Sequence, residues 1–177
     1  MSVTIMKNEF YIDSTISLAL FRNVENAKEV RQNVMSGTFE ASLLKPSMIV
    51  DPFQVIVAAN RAIHLNRQSK MMTKNVHSEI LFCLSPTKNI SDSFRKFGLA
   101  DNETSVLVVI ADDLDGNTMS AVCNCIKGEM INVNEISSLM DTRMIQKIYK
   151  ITDEELAVSK LLDCVVSRIS SKDILTV

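Results

Sequence analysis

The segment at residues 51–105 constrains the fold of this chain more than any other stretch. Its pattern predicts a helix that starts at Asp51, a basic connector at 67–75, a buried strand at 76–85 and a short helix capped by Ser91. The segment contains no recognisable set of catalytic groups. It therefore favours a protein that holds partners over one that carries out a reaction.

The first helix of this segment has a clear start and an apolar stripe of small residues. Asp51 supplies a side-chain acceptor for free backbone amides, and Pro52 suits the first helical position. The helical pattern continues to about Leu65. Small side chains in the stripe would let another backbone approach closely. The stripe consists of Val55, Ala58, Ala59, Ala62 and Ile63.

Strands and helices interleave along the rest of the chain without strict alternation. Residues 15–21 predict a buried strand, and residues 104–111 predict a central strand that is apolar on both faces. A final helix starts with the capping box at 152–155 and runs to about Ile169. We therefore expect one α+β domain over residues 1–177, with a central, mostly antiparallel or mixed sheet packed with several helices. Other helices are expected between Asn23 and Gly37 and at 39–44, 118–128, 135–140 and 143–149.

Composition and charge exclude several classes of protein. The chain has 177 residues, of which 46% are hydrophobic and 23% charged, an ordinary balance for one globular domain. Its net charge of −2 argues against a general polyanion binder, so any contact with nucleic acid must come from a local cluster of Lys and Arg. No uncharged apolar run approaches the roughly 20 residues of a membrane span, so we expect no membrane partner.

Candidate chemical groups are few and scattered. Cys123 and Cys125 would point apart on a helix, and no second Cys or His pair completes a metal site. His64 is expected on a helix surface and His77 at a strand edge, without the local signature of an activated nucleophile. Phosphate-binding glycine motifs are missing. We expect no catalytic residue, metal or cofactor, and reduced cysteines in the cytoplasm and nucleus.

One cluster of Lys and Arg residues occurs in the sequence, and its function has two interpretations. With the amides of two asparagines, its side chains would line a site for a single-stranded RNA end, through phosphate and base-edge contacts. The alternative is a solvated helix face and loop, and spacing alone favours this alternative. The cluster comprises Arg61, Arg67, Lys70, Lys74, Lys88, Arg95 and Lys96. The candidate RNA contacts are Asn60, Arg61, Lys70, Lys74 and Asn89.

Five segments in order along the chain carry a resemblance to a known family. They are VDPFQVIVAANRA at 50–62, SEILFCLSP at 78–86, NISDSFRKFG at 89–98, KIYKI at 147–151 and SSKDIL at 170–175. These segments resemble the PRPK-binding proteins, the Cgi-type subunits of the EKC/KEOPS complex. The resemblance covers nearly the whole chain, and residues 112–128 fit it least well.

The resemblance implies a non-catalytic subunit of the complex that forms threonylcarbamoyladenosine beside the anticodon of tRNA. Subunits of this type bind the small atypical kinase PRPK, which contacts the threonylcarbamoyl transferase, and archaeal relatives hold the single-stranded 3′ end of tRNA. For the kinase surface we expect the small-residue stripe together with the final helix. The candidate kinase contacts are Val55, Ala58, Ala62, Leu162, Val166 and Ile169.

Two other functions stay open at the level of the sequence. The chain could regulate the kinase without binding RNA directly, and salt-sensitive binding to the 3′ end of tRNA would distinguish this from the first function. An uncharacterised enzyme is the third possibility. The lack of catalytic motifs disfavours it, and turnover by the isolated chain would revive it.

Overall fold

Five strands form one antiparallel sheet in the computed structural model, which describes residues 3–8 and 11–174. Its central pair, from Ile16 opposite Ala111 to Arg22 opposite Ser105, consists of the two strands predicted at residues 15–21 and 104–111. The strands are β1 (Thr4–Lys7), β2 (Thr15–Arg22), β3 (Ser42–Leu44), β4 (Ser105–Ala111) and β5 (Glu129–Ile131). The strand order β1-β2-β4-β3, with β5 also paired to β2, uses antiparallel pairings throughout and confirms the α+β prediction.

Helices cover both faces of this sheet. The helices are α1 (Ala27–Met35), α2 (Pro52–Arg67), α3 (Val76–Leu84), α4 (Ile90–Phe97), α5 (Asn117–Cys125), α6 (Thr142–Tyr149), α7 (Asp153–Val158) and α8 (Leu161–Ser171), with 3₁₀ turns at Pro46–Met48 and Val133–Ser138. Leu18 and Leu20 of β2 point into the larger core, beneath α2, α3, α6 and α8, whereas Ala19 and Phe21 point into a smaller core beneath α1 and α5. The two covered faces explain why the central strands are apolar on both sides.

Helix α2 begins where the sequence predicted. The Asp51 side chain accepts a hydrogen bond from the Phe53 amide at 2.8 Å, and Pro52 occupies the first turn. The apolar stripe of α2 is fully buried and packs against α3 and α8 of the same chain. The small side chains therefore allow close approach of the chain's own helices.

Residues 76–84 form helix α3, so the predicted strand at 76–85 is wrong. The Asn75 side chain caps the helix by accepting from the Ser78 amide at 2.8 Å. Because α3 is enclosed on several sides, its apolar run lacks the one-faced period that would mark a helix. The error is reversed at 39–44, where Ser42–Leu44 forms strand β3 instead of the predicted helix.

The predicted final helix is two helices, α7 and α8. Ser159 and Lys160 adopt extended backbone angles, so the chain turns between Val158 and Leu161. Arg168 of α8 donates to both carboxylate oxygens of Glu155 in α7, at 2.6 and 2.7 Å, and this bidentate pair joins the two helices. The Glu155–Arg168 hydrogen bonds lower the pKa of Glu155 to about 2.

Candidate functional site

A pocket of about 520 Å³ opens at the C-terminal half of α2. Asn60, Arg61 and His64 of α2 line it, together with Tyr11 from the turn before β2. Two predicted RNA contacts, Asn60 and Arg61, are thus brought into one cavity. Sequence reasoning missed Tyr11, because no motif links this residue to a helix far away along the chain. His64 lies on an exposed helix surface, as predicted.

Planar side chains in contact with one another form a wall of this pocket. The Tyr11 Oη lies 2.6 Å from His64 Nδ1, and the two rings stack with centroids 6.2 Å apart. The Gln68 amide nitrogen lies 2.8 Å from His64 Nε2 on the other side of the ring. The Arg67 guanidinium lies 4.2 Å from the Tyr11 centroid. Such a wall suits a flat ligand better than a compact ion.

Arg61 is already engaged by the chain's own C-terminal helix. Its Nη1 donates to the Ile169 carbonyl at 2.7 Å, and its Nη2 forms an ion pair with Asp173. The guanidinium therefore fastens the end of α8 to α2. Replacing Arg61 would disturb α8 as well as the pocket, so this residue makes an ambiguous test of RNA binding.

The two predicted asparagines also serve the fold. The Asn60 Oδ1 accepts a hydrogen bond from the Asn8 side-chain amide at 2.9 Å. The Asn89 Oδ1 caps α4 by accepting from the Asp92 amide at 2.9 Å. Asn89 thus lies at the start of α4, away from the residues that line the pocket in the described part of the chain.

Lys70 and Lys74 lie exposed on the connector between α2 and α3. Neither lysine forms an ion pair with the described residues. Of the predicted RNA contacts, these two lysines are therefore available to bind an external anion.

The predicted kinase contacts separate into buried and half-buried groups. Leu162 and Val166, one turn apart on α8, are half-buried and keep surface for a partner. The other four have at most a trace of exposed surface, because they pack inside the larger core. In this structure the four offer no surface to a partner; they are Val55, Ala58, Ala62 and Ile169.

Titratable groups in the interior are suited to structural roles. His77 is buried in α3, not at a strand edge as predicted, and its Nε2 accepts from the Ala111 amide at 3.2 Å. Burial lowers the pKa of His77 and so favours the neutral ring. Burial raises the pKa of the Cys83 thiol to about 12 and that of Cys123 to about 11, which keeps both protonated at neutral pH. Within residues 3–8 and 11–174, no cluster of three His, Cys, Asp or Glu side chains could hold a metal ion.

Lys172 is a buried cation that caps helix α3. Its Nζ lies 3.3 Å from the centroid of the Phe82 ring and donates to the Phe82 carbonyl in the last turn of α3. Burial lowers the pKa of Lys172 from 10.5 to about 8. The charged or titratable groups around it are Arg61, Glu79, Cys83 and Asp173.

We expect Lys172 to make stability rise with pH across the interval between these two pKa values. From about pH 8 to 10.5 the unfolded chain binds more protons at this lysine than the folded chain, so alkali favours folding. Urea unfolding at several pH values should show the native protein gaining stability relative to Lys172→Met over that interval. The exposed control Lys88→Met should differ from the native protein by the same free energy of unfolding at every pH in that interval. Parallel pH profiles for native protein and Lys172→Met would contradict the prediction.

Comparison with known proteins assigns the chain to a family. The model of the family described as "Kinase binding protein CGI-121" matches residues 21–173. The chain belongs to the CGI-121 kinase binding proteins. An EKC/KEOPS complex subunit TPRKB from Danio rerio is 40% identical over 167 residues, covering 94% of this chain and 95% of that protein.

Fungal members of the CGI-121 family extend this similarity. An EKC/KEOPS complex subunit cgi121 from Aspergillus fumigatus is 35% identical over 144 residues, covering 77% of this chain and 76% of that protein. The corresponding Candida glabrata subunit is 33% identical over 145 residues, covering 80% and 82%. These matches confirm the family resemblance found in the sequence. In the part of the chain that the structure describes, no helix is both long and apolar enough to cross a membrane.

Proposed function

We propose that this chain is a non-catalytic subunit of an EKC/KEOPS complex that forms threonylcarbamoyladenosine next to the anticodon of tRNA. In this role it binds the atypical kinase PRPK and, through it, meets the threonylcarbamoyl transferase and the other subunits. Membership of a kinase binding family and the EKC/KEOPS names of the relatives support this proposal. The four free cysteines fit a reducing compartment, so we place the protein in the cytoplasm and nucleus.

The proposed tRNA contact is carried by one observation, the exposed basic connector next to a pocket with a planar wall. Lys70 and Lys74 would neutralise phosphates, and the wall of Tyr11 and His64 would stack an unpaired base. Both features suit a single-stranded 3′ end, whose bases are free to stack, better than a paired duplex. The pocket and the connector are continuous along the chain, because the connector follows directly from α2.

Replacing both connector lysines is expected to weaken tRNA binding. The Lys70→Glu/Lys74→Glu protein should bind tRNA at least about tenfold less tightly and show a smaller salt dependence, since phosphate contacts release counterions. Anisotropy titrations at several salt concentrations, with intact tRNA and with tRNA lacking its 3′ single-stranded nucleotides, would measure both effects. The native protein should prefer the intact tRNA, and the variant should lose that preference.

A matched control separates this effect from a loss of net positive charge. Lys28→Glu/Lys127→Glu carries the same change of charge on the side of α1, across the sheet from α2. It should bind tRNA nearly as well as the native protein. Equal losses in the two double variants would contradict a specific contact by the connector.

The second candidate function, kinase regulation without direct RNA binding, has an observation of its own. Arg61, Asn60 and Asn89 are all engaged in hydrogen bonds within the chain, so three of the five predicted RNA contacts already have partners. If the native protein bound intact and truncated tRNA equally, and no better than the connector variant, this second function would replace the tRNA role.

A further inference from the structure

A single buried carboxylate holds the middle of the basic connector. The Glu79 Oε2 accepts from the Met72 amide at 3.0 Å, from the Thr73 amide at 2.8 Å and from the Thr73 hydroxyl at 2.6 Å. Glu79 lies in the first turn of α3 and is fully buried. Three donors from one short stretch of connector therefore converge on one oxygen atom.

This carboxylate is costly to bury, which indicates that it does more than fill space. Burying a charged side chain is costly unless hydrogen bonds and opposite charges replace its hydration, and Glu79 also lies near the buried Lys172. The second oxygen, Oε1, is buried and has no hydrogen-bond partner among the described residues. Within the described residues, the side-chain hydrogen bonds of Glu79 thus all go to the connector. A neutral apolar side chain would serve the packing of α3 without that cost.

The two ends of the connector have other anchors, so the middle depends on Glu79. At the entrance, the Lys70 amide donates to the Leu65 carbonyl at 2.9 Å, directly after Ser69 with its left-handed φ of 54°. At the exit, Asn75 caps α3. Between them, Glu79 fixes the backbone at Met72 and Thr73. The exposed Lys74 follows immediately, so its position depends on this fixed backbone.

We propose that Glu79 is a positioning residue for tRNA binding, which holds the connector so that Lys70 and Lys74 meet phosphates at a fixed spacing. This inference rests on the proposed tRNA contact and deepens it. Glu79 itself is buried and touches no RNA. Its contribution is to order the connector before RNA binds. The free-energy cost of ordering this segment then does not reduce the affinity for RNA.

Three substitutions test the role of Glu79. Glu79→Ala removes the acceptor, Glu79→Gln keeps one acceptor oxygen, and Thr73→Val removes one donor at the half-buried edge of the connector. Ser78→Ala is the matched control, because its hydroxyl contacts only the Asn75 cap at the same end of α3. Each full-length protein is titrated with tRNA at several salt concentrations, and amide exchange is followed at Met72 and Thr73.

We expect Glu79→Ala to bind tRNA about three- to tenfold less tightly, a loss in the range expected for ordering a loop. The salt dependence should stay at the native value, because both lysines remain. Exchange at Met72 and Thr73 should accelerate. Thr73→Val should show a smaller loss of the same kind, Glu79→Gln should recover most of the affinity, and Ser78→Ala should bind as the native protein does.

Failure of this inference differs from failure of the tRNA role. If Lys70→Glu/Lys74→Glu binds tRNA normally, the tRNA role is wrong and the positioning role falls with it. If the lysine variant is weakened but Glu79→Ala and Thr73→Val bind like the native protein, only the positioning role is overturned. Should Glu79→Ala fail to fold, Thr73→Val decides, and native affinity with native exchange rates would overturn the inference.

Discussion

Replacing Tyr149 with alanine should lower the free energy of unfolding by about 3–5 kcal/mol, the range for truncating a large buried aromatic residue. Tyr149 is fully buried, and its ring meets Phe97 edge to face with centroids 5.8 Å apart. Its Oη donates to the Leu84 carbonyl at 2.5 Å and accepts from Gln54 Nε2 at 3.2 Å. One side chain therefore joins α6 to the end of α3 and the start of α2, and alanine would remove the ring contact and both hydrogen bonds.

Tyr149→Phe isolates the hydroxyl contribution. It should cost about 1–3 kcal/mol, because the Leu84 carbonyl and the Gln54 amide would lose a partner in the interior. Tyr11→Phe is the matched control, since Tyr11 is the other tyrosine of the chain and its hydroxyl bonds the exposed His64 ring. Urea unfolding monitored by circular dichroism would measure the free energy of unfolding of Tyr149→Ala, Tyr149→Phe and Tyr11→Phe. A loss below about 1 kcal/mol in Tyr149→Ala would show that the site collapses around the missing ring.

The predictable parts of the fold are those with a local signal. Strands β2 and β4 were found because their apolar runs are short, β-branched and bounded by polar residues. Helix α2 was found because Asp51 and Pro52 mark its start and its stripe has helical spacing. In each case the sequence alone contains the hydrogen-bond acceptor, the fixed backbone angle or the spacing that determines the element.

The elements that were mispredicted depend on tertiary contacts. Helix α3 is apolar nearly all round because α2, α4 and β3 enclose it, and no periodicity of its own distinguishes it from a buried strand. The break between α7 and α8 contains neither Gly nor Pro. It is held by the Glu155–Arg168 pair, which joins positions in what looked like one continuous helix.

The candidate site shows the same division. The basic connector could be read from the sequence, because Lys70 and Lys74 stand in a polar stretch between two apolar elements. The pocket could not be read, because Tyr11 reaches α2 only through the folding of the sheet. The alanines of α2 had the right spacing for a docking face, but the chain itself uses that face for α3 and α8. The spacing of small residues indicates that another backbone packs closely against the helix. It does not indicate whether that backbone belongs to a partner or to the same chain.

Adding charge at two half-buried apolar positions of α8 should strongly weaken binding of the proposed kinase partner. The Leu162→Glu/Val166→Glu protein should lose at least about a hundredfold in affinity for this proposed PRPK-type partner, since buried charges at the centre of an interface are strongly unfavourable. Leu156 and Leu161 pack against the larger core. Leu162 and Val166 are half-buried, and they are not among the described residues that pack against this core. This half-buried apolar pair is the part of the predicted kinase surface that still offers area to a partner. Co-purification of the two proteins and titration calorimetry would measure the loss.

Two further variants separate docking from a damaged fold. Ser120→Glu/Asn124→Glu adds the same charge to the exposed face of α5, on the other side of the sheet, and should keep native affinity. Leu162→Ala/Val166→Ala keeps the helix free of new charge, and it should weaken the kinase complex about tenfold or more if the pair contributes apolar contact area. Urea unfolding of each variant would show whether α8 remains folded. Native affinity in the alanine variant would move the kinase surface away from α8, and Phe53, half exposed on the first turn of α2, would be the next residue to test.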